Sequence, residues 1–461
     1  MNLKFSLEEV LGYLDITAVN NLPENTPIEG VSTDTRTIQP GNIFVALKGN
    51  KFDGHDFVEI AIERGAPICL VNQEWFQDHN NDKLPLIVVP NTLYALGELA
   101  NLYRCKFDIP VIAVAGSNGK TTTKDFIAHI LSQKYKVLKT ESNLNNQIGL
   151  PLTLFRLSAE HQIAVIEIGT NQFGEINRLC EIAQPNFGLI TNIGKEHLEA
   201  FVDLDGVEME ETSLFAYLMK HNGIAIINND DERLKKYGKI IENKFTFGSG
   251  SENNLNYSIS FDEELFASVE FESNGVKFQA KLNTKGYGVA MACIPAVAVG
   301  LLFELSEKDI IEGIQSFKLP EYGLYGRMQI LNLGNLTILN DTYNANPSSM
   351  QLALETIKKL GAHRTKIAIL GDMLELGDAS LNEHCELLQK AEEICDKIFI
   401  FGNEMKKAYQ TLRLAKAKYF EDKNEIPTAL KQAIVGNEIL LFKASRAMRC
   451  ENILTVFINN F

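Results

Sequence analysis

Apolar residues in this chain gather in short runs, and between the runs they recur at helical spacing. The runs at 42–47, 68–72 and 86–89 predict strands, and the stretch 57–64, ending at Gly65, predicts a helix. Ahead of them Ser6 and Glu9 match a capping box, in which each side chain satisfies the other's backbone donor at a helix start. A helix over 93–103 leads into a second series, with strands at 111–115, 163–168, 187–192 and 223–228 and a helix at 124–132. Strands that alternate with helices predict a mainly parallel sheet covered on both faces. The stretch 270–282 differs, because Asn274-Gly275 between alternating strands predicts a type I′ hairpin and an antiparallel edge. Residues 318–327, with Pro320, Gly323 and Gly326, break the periodicity, and strands at 336–339, 366–370, 397–401 and 438–442 follow. The pattern therefore predicts an α/β protein of three domains, 1–106, 107–319 and 320–461.

Composition narrows the classes. The chain has 461 residues, 45% hydrophobic and 22% charged, as in an ordinary globular protein of about three domains. A formal net charge of -15 argues against a general nucleic-acid or anionic-membrane binder, both of which need a basic surface. The seven cysteines are scattered and form no CxxC pair, a reduced intracellular pattern. The opening residues carry no apolar signal core, and the longest apolar run, 289–303, is 15 residues with Pro295 inside, too short to span a bilayer. A buried helix in a cytoplasmic, monomeric protein without membrane insertion is the expectation.

Residues 110–123, PVIAVAGSNGKTTT, read as a buried strand, a glycine turn and the first turn of a helix. Such a loop aims backbone N–H groups at one point, the helix N-terminus adds partial positive charge and Lys120 adds a full one, which together make a phosphate cradle. Thr121 is placed to give its hydroxyl to a magnesium ion bridging the phosphates. Only Ser117 and Asn118 separate Gly116 from Gly119, so the loop is a shortened form. The competing reading is a glycine turn with an incidental lysine.

Other candidates follow strand ends. Glu167 closes an apolar strand at the edge where ligands bind in parallel sheets, as a magnesium ligand or as a solvated acid. His197 lies in a loop past the strand at 187–192, where a structural histidine is the competing reading because magnesium prefers oxygen. Residues 343–348, YNANPS, can be cap and turn chemistry or a binding loop. Residues 371–377, GDMLELG, are a further acidic loop after a strand.

Together these motifs resemble the Mur ligases, ATP-dependent amide-forming enzymes of peptidoglycan synthesis, over nearly the whole chain. STDTRTIQPG (32–41), FVALKG (44–49) and DGH (53–55) resemble a uridine-nucleotide domain, and GSNGKTTTK is the family's shortened phosphate loop. Within the family, NLNNQIGLP (143–151), NANPSSM (344–350) and GDMLELG (371–377) resemble the member that adds D-alanyl-D-alanine to UDP-N-acetylmuramoyl-tripeptide. The resemblance implies a small α/β uridine-nucleotide domain, a central P-loop ATPase-like sheet and a C-terminal Rossmann-like domain, with ATP and Mg2+ as cofactors. It implies that Gly116, Ser117, Asn118, Gly119, Lys120, Thr121 and Thr122 hold phosphates, with Arg327 and Asp341 reaching back to ATP. Thr121, Glu167 and His197 match metal positions, with Lys120, Glu167 and His197 catalytic. Thr35, Arg36 and Lys48 fall at the uridine nucleotide, Asn145 and Asn146 on the substrate and phosphate side, and Asn344, Asn346 and His384 where dipeptide and nucleotide meet.

Three departures from the family pattern stand out. Glu211 stands where the family carries a carbamylated lysine for a second magnesium; it supplies a carboxylate on a shorter stem. Gly288 and Met291 replace asparagines at the adenine, and Lys443-Ala444-Ser445-Arg446 replaces KGSR. Another ligase of the family, a folylpolyglutamate synthase, and a paralogue that binds nucleotide or precursor without ligating are the alternative functions.

Overall fold

A computed structural model describes residues 5–23, 27–49, 51–79, 83–264, 266–320, 325–361 and 363–461; Gly323, in the expected boundary run, lies outside them. The chain forms two compact units. One comprises Met1–Ala113, Tyr135–Gly169 and Glu175–Asn186, the other Val114–Lys134, Thr170–Gly174 and Phe187–Phe461.

The first unit opens with the expected capping box: Ser6 Oγ accepts from Glu9 N–H at 3.0 Å, and the Glu9 carboxylate accepts from Ser6 N–H at 2.8 Å. Its five-stranded sheet runs Ala18–Asn20, Leu86–Val89, Cys69–Asn72, Asn42–Val45, Gly30–Ser32, antiparallel at the first pair and parallel elsewhere. The two outer strands were not expected, since three residues with polar members carry too little periodicity to register. Phe44, Val58, Ala61, Val71 and Val88 form the core beneath. The helix Thr92–Arg104 starts at Asn91, whose side chain accepts from Tyr94 N–H, and ends on buried Arg104, which donates to the carbonyls of Ala183 and Phe107. A buried cation is tolerable there because its N–H groups are satisfied. Strand Val137–Lys139 pairs in parallel with Ile163–Glu167.

In the second unit the strands Phe187–Ile190, Ile224–Asn228, Lys244–Gly248 and Leu255–Phe261 lie side by side in parallel, followed by Phe266–Ser273 and Val276–Lys285 in antiparallel. The hairpin turn has φ of 50° at Asn274 and 79° at Gly275, both positive as a type I′ turn requires. The apolar run is the helix Tyr287–Leu302, which packs against the helix Lys120–Leu131 so closely that a Cβ on Gly300 would lie 3.1 Å from Ile130 Cγ2. Among the described residues no helix is long and apolar enough to cross a membrane.

The same unit carries a six-stranded sheet in the order Gln329–Leu333, Leu336–Asn340, Ile439–Lys443, Lys366–Gly371, Lys397–Phe401, Ala417–Phe420, parallel after the first pair. Alternate residues face opposite cores: Ile439 and Leu441 join Met350, Leu354 and Leu388, whereas Leu440 and Phe442 join Leu430, Leu454 and Phe457. Coverage on both sides explains why these strands read as unbroken apolar runs. The first of these cores also takes in Leu198, Phe201 and Val207, from the two short helices Leu198–Phe201 and Leu204–Glu211.

Candidate active site

The phosphate loop adopts the form its glycines allow. Gly116 has φ +112° and Gly119 φ +82°, values that L side chains rarely adopt, and the helix begins at Lys120. Ser117 N–H donates to the Asn192 carbonyl at 2.9 Å, and Ser117 Oγ exchanges hydrogen bonds with Gly194. Asn118 N–H donates to Asn192 Oδ1, while Thr191 Oγ1 and Asn192 Nδ2 donate to the Asn118 carbonyl. The turn is thus tied on both sides to the loop after strand Phe187–Ile190. An alanine at 116 would drive its Cβ to 2.7 Å from Thr191 N. Gly116→Ala is therefore expected to weaken ADP binding by about tenfold, roughly 1.4 kcal/mol, read by titration calorimetry. An alanine variant that binds ADP within twofold of the parent would show that the loop's form is not what the nucleotide uses.

Lys120 Nζ donates to the Gly116 carbonyl and lies 3.7 Å from Glu196 Oε2. Glu196 was not singled out from the sequence, although it adjoins His197 in the same loop. Glu211, at the end of its helix and fully buried, accepts the Gly116 N–H on Oε2 at 2.7 Å. Burial pushes its carboxyl up to about 8; nearby Glu196 adds to the rise and Lys120 opposes it. One oxygen of each acid, Glu196 Oε1 and Glu211 Oε1, is buried without a hydrogen-bond partner. The Glu196 and Glu211 carboxyl groups beside Lys120 offer oxygen donors of the type a hard cation takes, to be completed by phosphate oxygens.

His197 has φ 46°, and its Nδ1 pairs with Glu375 Oε2 at 2.6 Å, which holds the Glu375 carboxyl below the usual range. Lys195 reaches across to Glu383 at 2.5 Å, its N–H donates to Ser348 Oγ at 3.1 Å, and Asn346 Nδ2 donates to Asn118 Oδ1 at 3.1 Å. The loop 343–348 therefore meets the phosphate loop, and the loop 371–377 meets the segment that carries His197. Asn346 also caps the helix Pro347–Lys359 through a reciprocal pair with Ser349. Asn344 Oδ1 accepts from Arg446 N–H, and its carbonyl accepts from Lys443.

Two residues expected near ATP sit behind this loop. Asp341 is buried against Lys443 at 2.5 Å and accepts from Met328 N–H, and the Arg327 guanidinium lies 3.5 Å from the Tyr343 ring centroid. His384 is fully buried: Nε2 accepts from Met373 N–H at 2.9 Å and Nδ1 bonds the Ser380 carbonyl at 2.7 Å. Burial lowers its pKa, and with both ring nitrogens in use it holds the 371–377 loop instead of presenting a free group to a ligand. At the departures noted above, a Cβ on Gly288 would lie 3.6 Å from Met328 Cγ, and the neighbouring Tyr287 ring stacks on Phe261.

The first unit holds the remaining candidates. Glu167 is buried, its Oε1 accepting from Asn145 Nδ2 at 2.9 Å and its N–H donating to Thr140 Oγ1. Asn146 Oδ1 accepts from the N–H groups of Ile148 and Gly149, at the start of a short helix. Arg36 is exposed and held by Asp34, whose carboxyl is lowered to about 2 by that guanidinium. The Thr35 carbonyl accepts from Arg64, and Lys48 faces Asp53, which orients buried His55.

A loop shaped for phosphate, met by amides, hydroxyls and acids from another α/β module, suits transfer of a phosphoryl group to a substrate and its displacement there. That places the chain among the ATP-dependent ligases. Family descriptions match along it: the Mur ligase family catalytic domain at residues 27–104, the Mur ligase middle domain at 114–299 and the Mur ligase glutamate ligase domain at 326–446. The UDP-N-acetylmuramoyl-tripeptide–D-alanyl-D-alanine ligase of Bacillus subtilis is 33% identical over 465 residues, covering 99% of both chains. Among solved structures, a MurF crystal structure from Acinetobacter baumannii superposes with a TM-score of 0.88 at 28% identity over 99% of both chains. The Thermotoga maritima MurF ligase in complex with ADP gives 0.80 at 28% identity, over 93% of this chain and 97% of that one. The chain belongs to the Mur ligase family.

Proposed function

We propose that this enzyme joins D-alanyl-D-alanine to UDP-N-acetylmuramoyl-tripeptide, forming ADP and phosphate, in the cytoplasm and as a monomer. The observation that carries the reading is the hydrogen bond from Asn346 to Asn118, because it brings the loop 343–348 to the phosphate loop. Residues 1–106 would bind the uridine nucleotide through Thr35, Arg36 and Lys48, residues 107–319 would bind ATP, and residues 320–461 would bring the dipeptide with Asn344 and Asn346.

The chemistry follows from the poor electrophilicity of a carboxylate. A carboxylate oxygen of the tripeptide attacks the γ-phosphorus, the bond to the β-phosphate oxygen breaks, and ADP leaves an acyl phosphate. The dipeptide amine then attacks the acyl carbon, phosphate departs with the C–O bond electrons, and the amine loses a proton. The protein's task is positioning and charge neutralisation. Lys120 and the N–H groups at the start of its helix neutralise the γ-phosphate, the N–H groups of Gly116, Ser117 and Asn118 being taken by Glu211 and Asn192, and Asn145 and Asn146 orient the acceptor. Thr121, Glu167, His197 and Glu211 would hold a magnesium ion, which would supply further charge neutralisation on the phosphates. Water must be kept from the acyl phosphate, and the ion pairs Lys195–Glu383 and His197–Glu375 hold the third module over the loop.

Phosphate release is expected only when ATP, UDP-muramoyl-tripeptide and D-alanyl-D-alanine are all present, measured in a coupled assay with diaminopimelate and lysine acceptors compared. Release with folate and glutamate would overturn the assignment. The reading of a binder that does not ligate draws on Glu211, Gly288 and Met291; ADP binding without amide formation under any acceptor would favour it.

A further inference from the structure

The strand Ile224–Asn228 runs out into a row of amides and acids, Asn228-Asn229-Asp230-Asp231, which the fold divides between two tasks. Asn229 and Asp230 close the neighbouring turn: Asn229 Nδ2 donates to Asn253 Oδ1 at 2.7 Å, and the Asp230 carboxylate accepts from Ser249 N–H and the Tyr257 hydroxyl. Asn228 and Asp231 face the loop after strand Phe187–Ile190 instead. Buried Asn228 donates from Nδ2 to the Thr191 carbonyl at 3.0 Å, and its Oδ1 accepts from Asp230 N–H at 3.1 Å. Asp231 accepts the Ile193 N–H on Oδ2 at 2.9 Å, while its Oδ1 accepts from the N–H groups of Arg233 and Leu234 and so caps the short helix Glu232–Lys235.

These two contacts bracket Asn192. The Thr191 carbonyl and the Ile193 N–H belong to the peptide planes on either side of its Cα, and a planar peptide leaves each residue only two soft dihedrals, so holding both planes fixes φ and ψ of Asn192. That residue in turn holds the phosphate loop three times. Its carbonyl accepts from Ser117 N–H, its Oδ1 accepts from Asn118 N–H, and its Nδ2 donates to the Asn118 carbonyl. The paired register of the two strands runs to Ile226 opposite Leu189, and two positions further on the Asn228 side chain continues the ladder to Thr191. Small displacements matter at a site that works by positioning, where a shift of about 1 Å made far from the chemistry can lower a rate by about a hundredfold.

We infer that Asn228 and Asp231 are positioning residues for the nucleotide, acting together through Asn192 to set the form of the phosphate loop. The inference rests on the proposed ATP-dependent ligation and adds two residues to it. The test uses the full-length protein with Asn228→Ala and with Asp231→Ser, because serine keeps the helix cap and is too short to hold Ile193 as well. Each variant is expected to bind ADP at least fivefold more weakly by calorimetry and to raise KM for ATP by a similar factor, with KM for UDP-muramoyl-tripeptide within twofold of the parent. A merely structural role would reduce the folded fraction, lowering the apparent kcat and leaving both KM values in place. Asp230→Asn, in the same segment but turned away from the loop, should stay within twofold of the parent in all three quantities. ADP affinity within twofold of the parent in either variant overturns the inference, and so does an Asp230→Asn protein that loses ADP affinity as strongly as they do. ADP binding is read without acceptor, and amide formation by the parent is measured in parallel. Amide formation with ADP affinity indifferent to both substitutions removes the bracket and leaves the ligase reading; weakened ADP binding in the variants of a parent that forms no amide does the reverse.

Discussion

Lys120→Ala is expected to lower kcat/KM for amide synthesis by about a thousandfold, roughly 4 kcal/mol of transition-state stabilisation. The size follows from where the lysine sits. Its ammonium is only partly exposed, is held by the Gly116 carbonyl on the inside of the loop, and has Glu196 at 3.7 Å. When phosphoryl transfer spreads charge over the γ-phosphate oxygens, a fixed positive centre in a site closed to water is worth far more than a solvated one. Removing it also takes the ammonium away from Glu196, so anionic phosphate would approach a carboxylate whose charge it no longer offsets. The measurement is steady-state phosphate release with both substrates present, and ADP affinity by calorimetry separates lost binding from lost catalysis. A variant within threefold of the parent in kcat/KM would remove the phosphate-loop assignment.

The largest effect on stability is expected at Lys443→Met. Lys443 and Asp341 form a buried pair at 2.5 Å, and the lysine also donates to the Asn344 carbonyl at 2.8 Å. Deleting one member of such a pair leaves a desolvated charge and costs about 3–5 kcal/mol, whereas neutralising both costs much less. Chemical denaturation should therefore show the transition of the six-stranded sheet at clearly lower urea in Lys443→Met, and Lys443→Met/Asp341→Asn should recover a good part of the loss. If the double variant is as destabilised as the sum of both single ones, the two groups are not coupled and the pair does not hold this sheet. The family pattern placed Asp341 beside ATP. Its position next to Lys443 ties it to the 343–348 loop, which meets the phosphate loop through Asn346.

The elements that could be read from the sequence were those whose cause is local. Val111–Ala115 and Lys397–Phe401 are strands at the bounds their apolar runs predicted, because both faces are buried. Asn274-Gly275 gave the hairpin because two positive φ angles need those residues. The phosphate loop was legible because its glycines, lysine and helix start are contiguous. The same reasoning missed the edge strands Gly30–Ser32 and Ala417–Phe420, whose pairing comes from neighbours and not from their own alternation. It also missed Glu196 and the ion pair from Lys195 to Glu383, which lie 188 positions apart. Nothing near either residue encodes such a partner. His384 illustrates the same limit: the resemblance puts it where dipeptide and nucleotide meet, and only the structure shows the Met373 N–H and the Ser380 carbonyl occupying its ring.

Leu198, Phe201 and Val207 belong to the same apolar core as Met373 and Leu376. The helix that ends in Glu211 thus stands on the same floor as the acidic loop bearing Glu375. Rearrangement on one side cannot proceed without repacking the other, since a close-packed interior has few intermediate states. Thermodynamic linkage then runs in both directions: whatever factor the nucleotide applies to dipeptide affinity, the dipeptide must return to the nucleotide.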